Sequence, residues 1–312
     1  MRRHTHIKKI KRLFMSLCLT GLSHLALASE AQFVIGFPED NMSNDWRAAQ
    51  MKEIQQALKK HQNVRFLMAD AAGSVARNIL DIENMVSQGV QLLFLGPKTP
   101  QALTPVVAGL RKKGIKIVLL TRKLNSEDYD VYIGPDDFKI AYEAATFLAN
   151  RLHGKGTILM LSGIATTTTA IDRKKGFLAG LRNFAGIKVI TKVANYSRSE
   201  AVMVVENQLN QNHTFDAIYA HNDAMASGAR YALKQAGINP ATKNIVGIDF
   251  LPEAREAILK GEQLASFTYP TCGKVGVEAA LNLLKGNKVK RYITVPSVLV
   301  TKKNVNAIST VY

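Results

Sequence analysis

Short apolar runs rich in β-branched residues alternate along the chain with longer stretches whose apolar positions recur every three to four residues. That is the pattern of strand-helix units that build a parallel sheet. The runs predict strands at 33–37, 64–69, 91–95, 115–120 and 131–133, with helices at 46–60, 75–87 and 104–113 between them, each stopped by Gly or polar residues. A second series repeats the theme, with strands at 157–161, 188–193, 217–220 and 245–248 and helices at 172–184, 199–210, 223–236 and 252–260. A strand at 265–268, a helix at 275–284 and a closing strand at 294–300 complete it. The expected fold is α/β, two doubly wound parallel-sheet lobes joined by a multi-strand hinge. The N-terminal lobe would comprise residues 29–135 plus 268–295, and the C-terminal lobe 136–267 plus 296–312.

Ahead of this pattern, six basic residues (Arg2, Arg3, Lys8, Lys9, Lys11, Arg12) precede an apolar run over 13–28 that ends in Ala26-Leu27-Ala28. A basic start, a short apolar core and a small-x-small end predict a signal peptide at 1–28, removed on export to the periplasm. The run is too short to span a bilayer. A permanent anchor would need a longer core and no cleavage pattern. Cys18 lacks the small neighbours of a lipoprotein cysteine. Cleavage would take six of the 41 basic residues and leave them outnumbering the 24 acids by 11.

That positive balance is scattered, without the interleaved aromatics that single-strand binders use, so no nucleic-acid partner is expected. Only Cys272 would remain, so no intrachain disulfide can form, and stability must come from buried apolar area. Cys272 itself reads as a small buried residue at a helix start.

Enzyme templates are missing: there is no G-x-S-x-G elbow, no H-E-x-x-H, no P-loop and no G-x-G-x-x-G after the first strand. His61, His153, His213 and His221 have no metal-ligand spacing. Neither a cofactor nor a metal is expected, and the protein does not read as an enzyme.

In open α/β sheets ligands bind beyond the carboxyl ends of strands, so the residues just after each strand are the candidates. They are Asn44-Asp45-Trp46-Arg47, Thr121-Arg122, Arg173, Tyr196, Asn222 and Asp249. An indole stacks on the apolar face of a sugar ring while Asn and Arg reach its hydroxyls. Each has a plainer alternative: Trp46 as core, Arg173 as surface decoration, Asp249 as a cap for the helix after Pro252. One of Asn222 and Asp223 is expected to cap a helix while the other faces a ligand. Residues 166–169 read as a solvent-exposed loop feeding a helix.

The runs Thr169-Ala170-Ile171-Asp172-Arg173-Lys174-Lys175-Gly176-Phe177, Tyr219-Ala220-His221-Asn222-Asp223-Ala224-Met225 and Asp45-Trp46-Arg47-Ala48-Ala49 resemble the periplasmic sugar-binding proteins of the ribose-binding type, with the type I periplasmic binding protein fold. They are especially similar in motif to the galactofuranose-binding member. The resemblance covers nearly the whole chain after the leader. It implies that Asn44, Trp46 and Arg47 are first-loop contacts and that Arg122, Arg173, Tyr196, Asn222 and Asp249 hydrogen-bond or stack on a sugar. The family commonly carries Asp where Thr121 stands and often Gln where Tyr269 falls, so the resemblance also implies Tyr269 as a ligand-binding position. With that carboxylate gone, Arg47, Arg122 and Arg173 would be opposed chiefly by Asp249, and the cleft would favour a sugar acid or an altered furanose.

The expected function is therefore a monomeric solute-binding protein that closes on a monosaccharide or sugar acid and delivers it to an ABC importer. The alternative is a receptor of the same fold that signals to a sensor kinase or chemoreceptor. A glycan-acting enzyme would need paired carboxylates, and Asp249 has no evident counterpart in the sequence.

Overall fold

The computed structural model describes residues 33–311, so the expected leader at 1–28 lies outside the described residues. The first lobe runs β1 (Phe33–Glu39), α1 (Asp45–Leu58), β2 (Val64–Asp70), α2 (Val75–Ser87), β3 (Leu92–Leu95), α3 (Pro100–Lys112), β4 (Lys116–Leu120) and β5 (Val131–Gly134). The second runs α4 (Asp137–Arg151), β6 (Lys155–Ser162), α5 (Thr168–Gly180), β7 (Gly186–Val193), α6 (Arg198–Asn210), β8 (Ala217–Ala220), α7 (Asp223–Gln235), β9 (Ile245–Asp249), α8 (Pro252–Lys260) and β10 (Ala265–Thr268). The chain then passes through α9 (Gly273–Leu284), β11 (Tyr292–Thr294) and β12 (Leu299–Thr301).

Among the described residues there are two six-stranded sheets, ordered β11-β5-β4-β3-β1-β2 and β12-β10-β9-β8-β6-β7. All pairings are parallel except β10 with β12. In each sheet the chain starts in an inner strand, β1 or β6, and reverses direction of winding there, which opens a crevice at the carboxyl ends. The central strands β3, β8 and β9 are buried throughout, as strands covered by helices on both faces must be.

Three features depart from the sequence reading. Helix α4 is absent from it; its inward face is mainly alanine (Ala141, Ala144, Ala145, Ala149) with Ile140 and Leu148. Alanine is required there, since α4 packs directly on α5, where a Cβ at Gly180 would sit 2.7 Å from the Tyr142 carbonyl oxygen. Helix α5 begins at Thr168 rather than at 172, capped by Thr167, whose Oγ1 accepts from the Ala170 amide at 3.3 Å. The supposed exposed loop is thus a helix start with Thr167 and Thr169 buried. The single closing strand is instead two short ones in different sheets, with Pro296 between them denying the ladder a donor.

Between the sheets the chain crosses at 135–136, 269–272 and 295–298. Thr268 itself lies in the second sheet, opposite Asp249. The crossings are tied together: the Val295 amide donates to the Gly134 carbonyl at 3.1 Å and Ser297 Oγ to the Thr268 carbonyl at 2.6 Å. Cys272 is buried at the N-cap of α9.

Candidate functional site

The carboxyl ends of the two sheets face each other across a cavity of about 980 Å³. Asn44, Trp46, Arg47, Thr121 and Arg122 line it from the first lobe. Arg173, Tyr196, Asn222 and Asp249 line it from the second, and Tyr269 from a crossing. One cleft therefore gathers every side chain that the strand-end rule selected, together with Tyr269, which the resemblance implied. Asp40, Lys98 and Thr169 also line it and were not singled out as contacts.

The inner wall is assembled around Arg173. Its Nε donates to Asp137 Oδ1 at 2.8 Å, its Nη1 donates to the His221 carbonyl, and its guanidinium carbon lies 4.5 Å from the centre of the Tyr269 ring. Tyr269 Oη donates to the other Asp137 oxygen at 3.1 Å, and Trp46 Nε1 donates to the Tyr269 carbonyl at 2.8 Å. The two aromatic rings are tilted with centroids 5.5 Å apart. Trp46 comes from a first-lobe helix yet packs in a core cluster of the second lobe, so it is both core and cleft wall. Burial lifts the Asp137 carboxyl to about 6 against the opposing Arg173 charge. Burial works against the Arg173 charge too, but Asp137 and the surrounding groups hold its pKa well above the usual guanidinium value.

A second cluster closes the β1 end. Arg122 Nη1 stands 3.3 Å from both Asp40 oxygens and 3.3 Å from the Gly96 carbonyl oxygen. Arg47 Nη1 lies 3.8 Å from Glu39 Oε2 and donates to Gln50 Oε1 at 2.9 Å. Gly96 lies close beside it: a Cβ there would sit 2.9 Å from Arg47 Nη1, so any larger residue would displace that guanidinium. Burial pushes Glu39 well above the ordinary carboxyl range, with Arg47 only partly offsetting it. Burial also opposes ionisation of Asp40, but the hydrogen bond from Glu39 and the charges of Arg122 and Arg47 outweigh it and hold Asp40 below its usual value.

This corrects the electrostatic expectation. The three arginines are not opposed chiefly by Asp249: Arg47 faces Glu39, Arg122 faces Asp40 and Arg173 faces Asp137. Asp249 makes no ion pair within 4 Å among the described residues, and burial raises its pKa well above the carboxylate range although the charges of Arg173 and Arg47 lower it.

Asn222 and Asp223 do not divide their roles as expected. Asn222 both caps α7, accepting from the Met225 amide at 2.9 Å, and lines the cleft. Asp223 points away from it and accepts from the Phe250 amide at 2.7 Å and from Ser266 Oγ at 2.7 Å. Those bonds fix the end of β9, where Asp249 and Phe250 have φ of 117° and 60°. Asp249 does not cap α8, whose N-cap residue is Leu251.

Thr121 and Tyr196 likewise sit at positive φ, 62° and 61°. Non-glycine residues there cost roughly 1–3 kcal/mol each and persist where the surroundings over-determine them. Three buried oxygens in this region, Glu39 Oε2, Thr121 Oγ1 and Tyr196 Oη, have no hydrogen-bond partner among the described residues. Gly163 makes room for the Tyr196 ring, which any Cβ at that position would overlap.

The sequence profile described as periplasmic binding protein domain matches residues 35–288. The galactofuranose-binding protein YtfQ of Escherichia coli is 29% identical over 81% of this chain and 82% of its own length. A xylitol-binding protein of Mycolicibacterium smegmatis is 31% identical over 82% of this chain and 74% of its own. Among solved structures, the fructose-binding periplasmic domain of a hybrid two-component system superposes with a TM-score of 0.84 at 30% identity, covering 88% of this chain and 92% of that one.

Proposed function

Because the chain belongs to the periplasmic binding protein domain family, we propose that it captures a small neutral polyhydroxylated solute, a sugar or polyol, by hinge closure in the periplasm. The lobes are taken as residues 29–135 with 269–295 and 136–268 with 296–312, Thr268 going with the sheet that holds it, turning about the three crossings, and the chain is taken to act as a monomer after cleavage of residues 1–28. Delivery of the closed form to an ABC importer follows from that role.

One observation carries the choice of a neutral ligand: two of the three cleft arginines already hold a carboxylate, Arg122 with Asp40 and Arg173 with Asp137. A paired guanidinium and carboxylate present donors and acceptors side by side, which suits hydroxyl groups that both give and take hydrogen bonds. A ligand carboxylate would instead meet Asp40, held ionised. Thr121 Oγ1 and Tyr196 Oη, both on the cleft wall, gain partners when hydroxyls arrive, which removes the cost of burying them unpaired. Trp46 supplies the apolar surface for a ring face. Asp40 does place a second carboxylate opposite Asp249, but one locked to Arg122 and held ionised is a poor proton donor.

Calorimetric titration of the purified protein with D-galactose, D-xylose, D-ribose and myo-inositol beside D-galacturonate and D-gluconate tests the reading. Saturable binding of a neutral compound, tighter than any acid, is expected. Tight binding of an acid alone would overturn it. A receptor role has one observation in its favour, the 30% identity to the periplasmic domain of a hybrid two-component system. Retained uptake of the labelled ligand in a strain deleted for this protein would favour that role over transport.

A further inference from the structure

The cleft is lopsided. On one side three threonines of the 166–169 run tie the lobes together: Thr166 Oγ1 donates to the Lys98 carbonyl at 2.9 Å, the Lys123 amide donates to Thr168 Oγ1 at 3.0 Å, and Thr169 Oγ1 donates to the Thr121 carbonyl at 3.0 Å. On the other side, among the described residues, no hydrogen bond or ion pair joins the 41–45 loop to α6 or α7. The cavity leaves the ring site through that side.

Its lining continues outward over Ala224, Ser227 and Tyr231, spaced by three and four residues and so on one face of α7. A second groove of about 260 Å³ starts from the same Ser227 and Tyr231 and runs on towards α8. At about 980 Å³ the cleft stands near the top of the range of roughly 300–1,000 Å³ that holds drug-sized ligands. One sugar ring, with about a dozen heavy atoms, leaves much of it unfilled.

Resting on the reading of the inner cleft as a sugar site, we propose that this outer arm is a subsite for a second sugar ring, so that the cargo is a disaccharide or other glycoside. Tyr231 is the platform. Its ring is 55% exposed at the cavity mouth, and an exposed aromatic with a hydroxyl tip offers a face for stacking and a group for hydrogen bonding. The floor beneath it is fixed. Glu253 accepts from Arg198 Nη2 at 2.7 Å with one oxygen and from Ser227 Oγ at 3.0 Å with the other, joining α6, α7 and α8. A guanidinium carries five N–H donors, so Arg198 keeps others for the hydroxyls of the outer ring. The inner residues read one ring and the α7 face reads what is joined to it.

Calorimetry with D-galactose, D-xylose and L-arabinose, each beside galactobiose, xylobiose or arabinobiose, tests the subsite in the intact protein and in Tyr231→Ala. At least one disaccharide should bind about tenfold or more tighter than its monosaccharide. Tyr231→Ala should remove most of that advantage and leave the monosaccharide within about twofold. Monosaccharides binding as tightly as all the disaccharides, or a Tyr231→Ala loss equal for both, overturns the subsite and leaves the sugar reading standing. No binding by any of these sugars, nor by D-ribose or myo-inositol, overturns both.

Discussion

Arg173 and Asp137 meet with Nε 2.8 Å from Oδ1 although 36 residues separate them, and both are buried. The contact joins the second turn of α5 to the first turn of α4 at the point where the chain enters the second lobe. Tyr269, from another crossing, donates to the same carboxylate. The ion pair thus sits where cleft and hinge coincide.

Removing one partner of a buried pair strands the other, at a cost of about 3–5 kcal/mol. Arg173→Leu should lower the denaturant midpoint accordingly and abolish ligand binding. Arg173→Lys should recover most of the stability but little of the affinity, since an ammonium cannot reach Asp137 and the His221 carbonyl with one planar fork. Chemical denaturation and calorimetry on both variants check this.

Burial holds Asp137 at about 6, against an ordinary 3.8. An acid whose folded pKa lies above its unfolded one binds its proton first in the folded state. Stability from this group therefore grows as pH falls from 7 towards 4 and is lost as pH rises through 6. Asp223, also near 6, acts the same way, while His221, lowered by burial, acts in the opposite sense. Comparing the protein with Asp137→Asn isolates the one group: the melting temperature of the unaltered protein relative to the variant should rise between pH 7.5 and 5. A flat or shrinking gap would mean that Asp137 ionises normally.

Trp46 is the sole tryptophan, and its indole N–H is spent on the Tyr269 carbonyl beside the cleft. Ligand binding should change its emission. Trp46→Phe should remove the signal and, by losing a buried hydrogen bond worth about 1 kcal/mol, weaken binding severalfold.

Thr169→Val keeps the shape of the side chain but removes the donor to the Thr121 carbonyl. A cost of about 1 kcal/mol is expected. It should fall on the closed form, seen as a larger radius of gyration by solution scattering without ligand and recovery of the unaltered value with it.

Gly163→Ala places a methyl where the Tyr196 ring lies. The ring must leave the cleft, so affinity should drop about tenfold or more while far-ultraviolet circular dichroism stays the same. Unchanged affinity would place Tyr196 outside the ligand contacts.

The elements were legible where side-chain period carried the signal. Buried β-strands such as β3 and β9 show as unbroken apolar runs, and the strand ends follow from them, which is why residues as distant as Asn44 and Asp249 were selected together. Helix α4 was missed, although Ile140, Ala144 and Leu148 fall on its buried face at helical spacing. The closing strand divided because Pro296 carries no amide donor, a signal present in the sequence and outweighed there by the apolar residues around it.

The sequence by itself determined the doubly wound lobes and the strand-end positions that line the cleft, since both follow from local periodicity and from the direction of parallel strands. Only the tertiary structure decided the charge state and shape of that cleft. Asp40 reaches Arg122 across 82 positions, Asp137 reaches Arg173 across 36, and the threonines of α5 latch one side while the face of α7 leaves the other open. Ion pairing and burial depend on separation through space, and the order of residues along a chain does not encode that distance until the chain has folded.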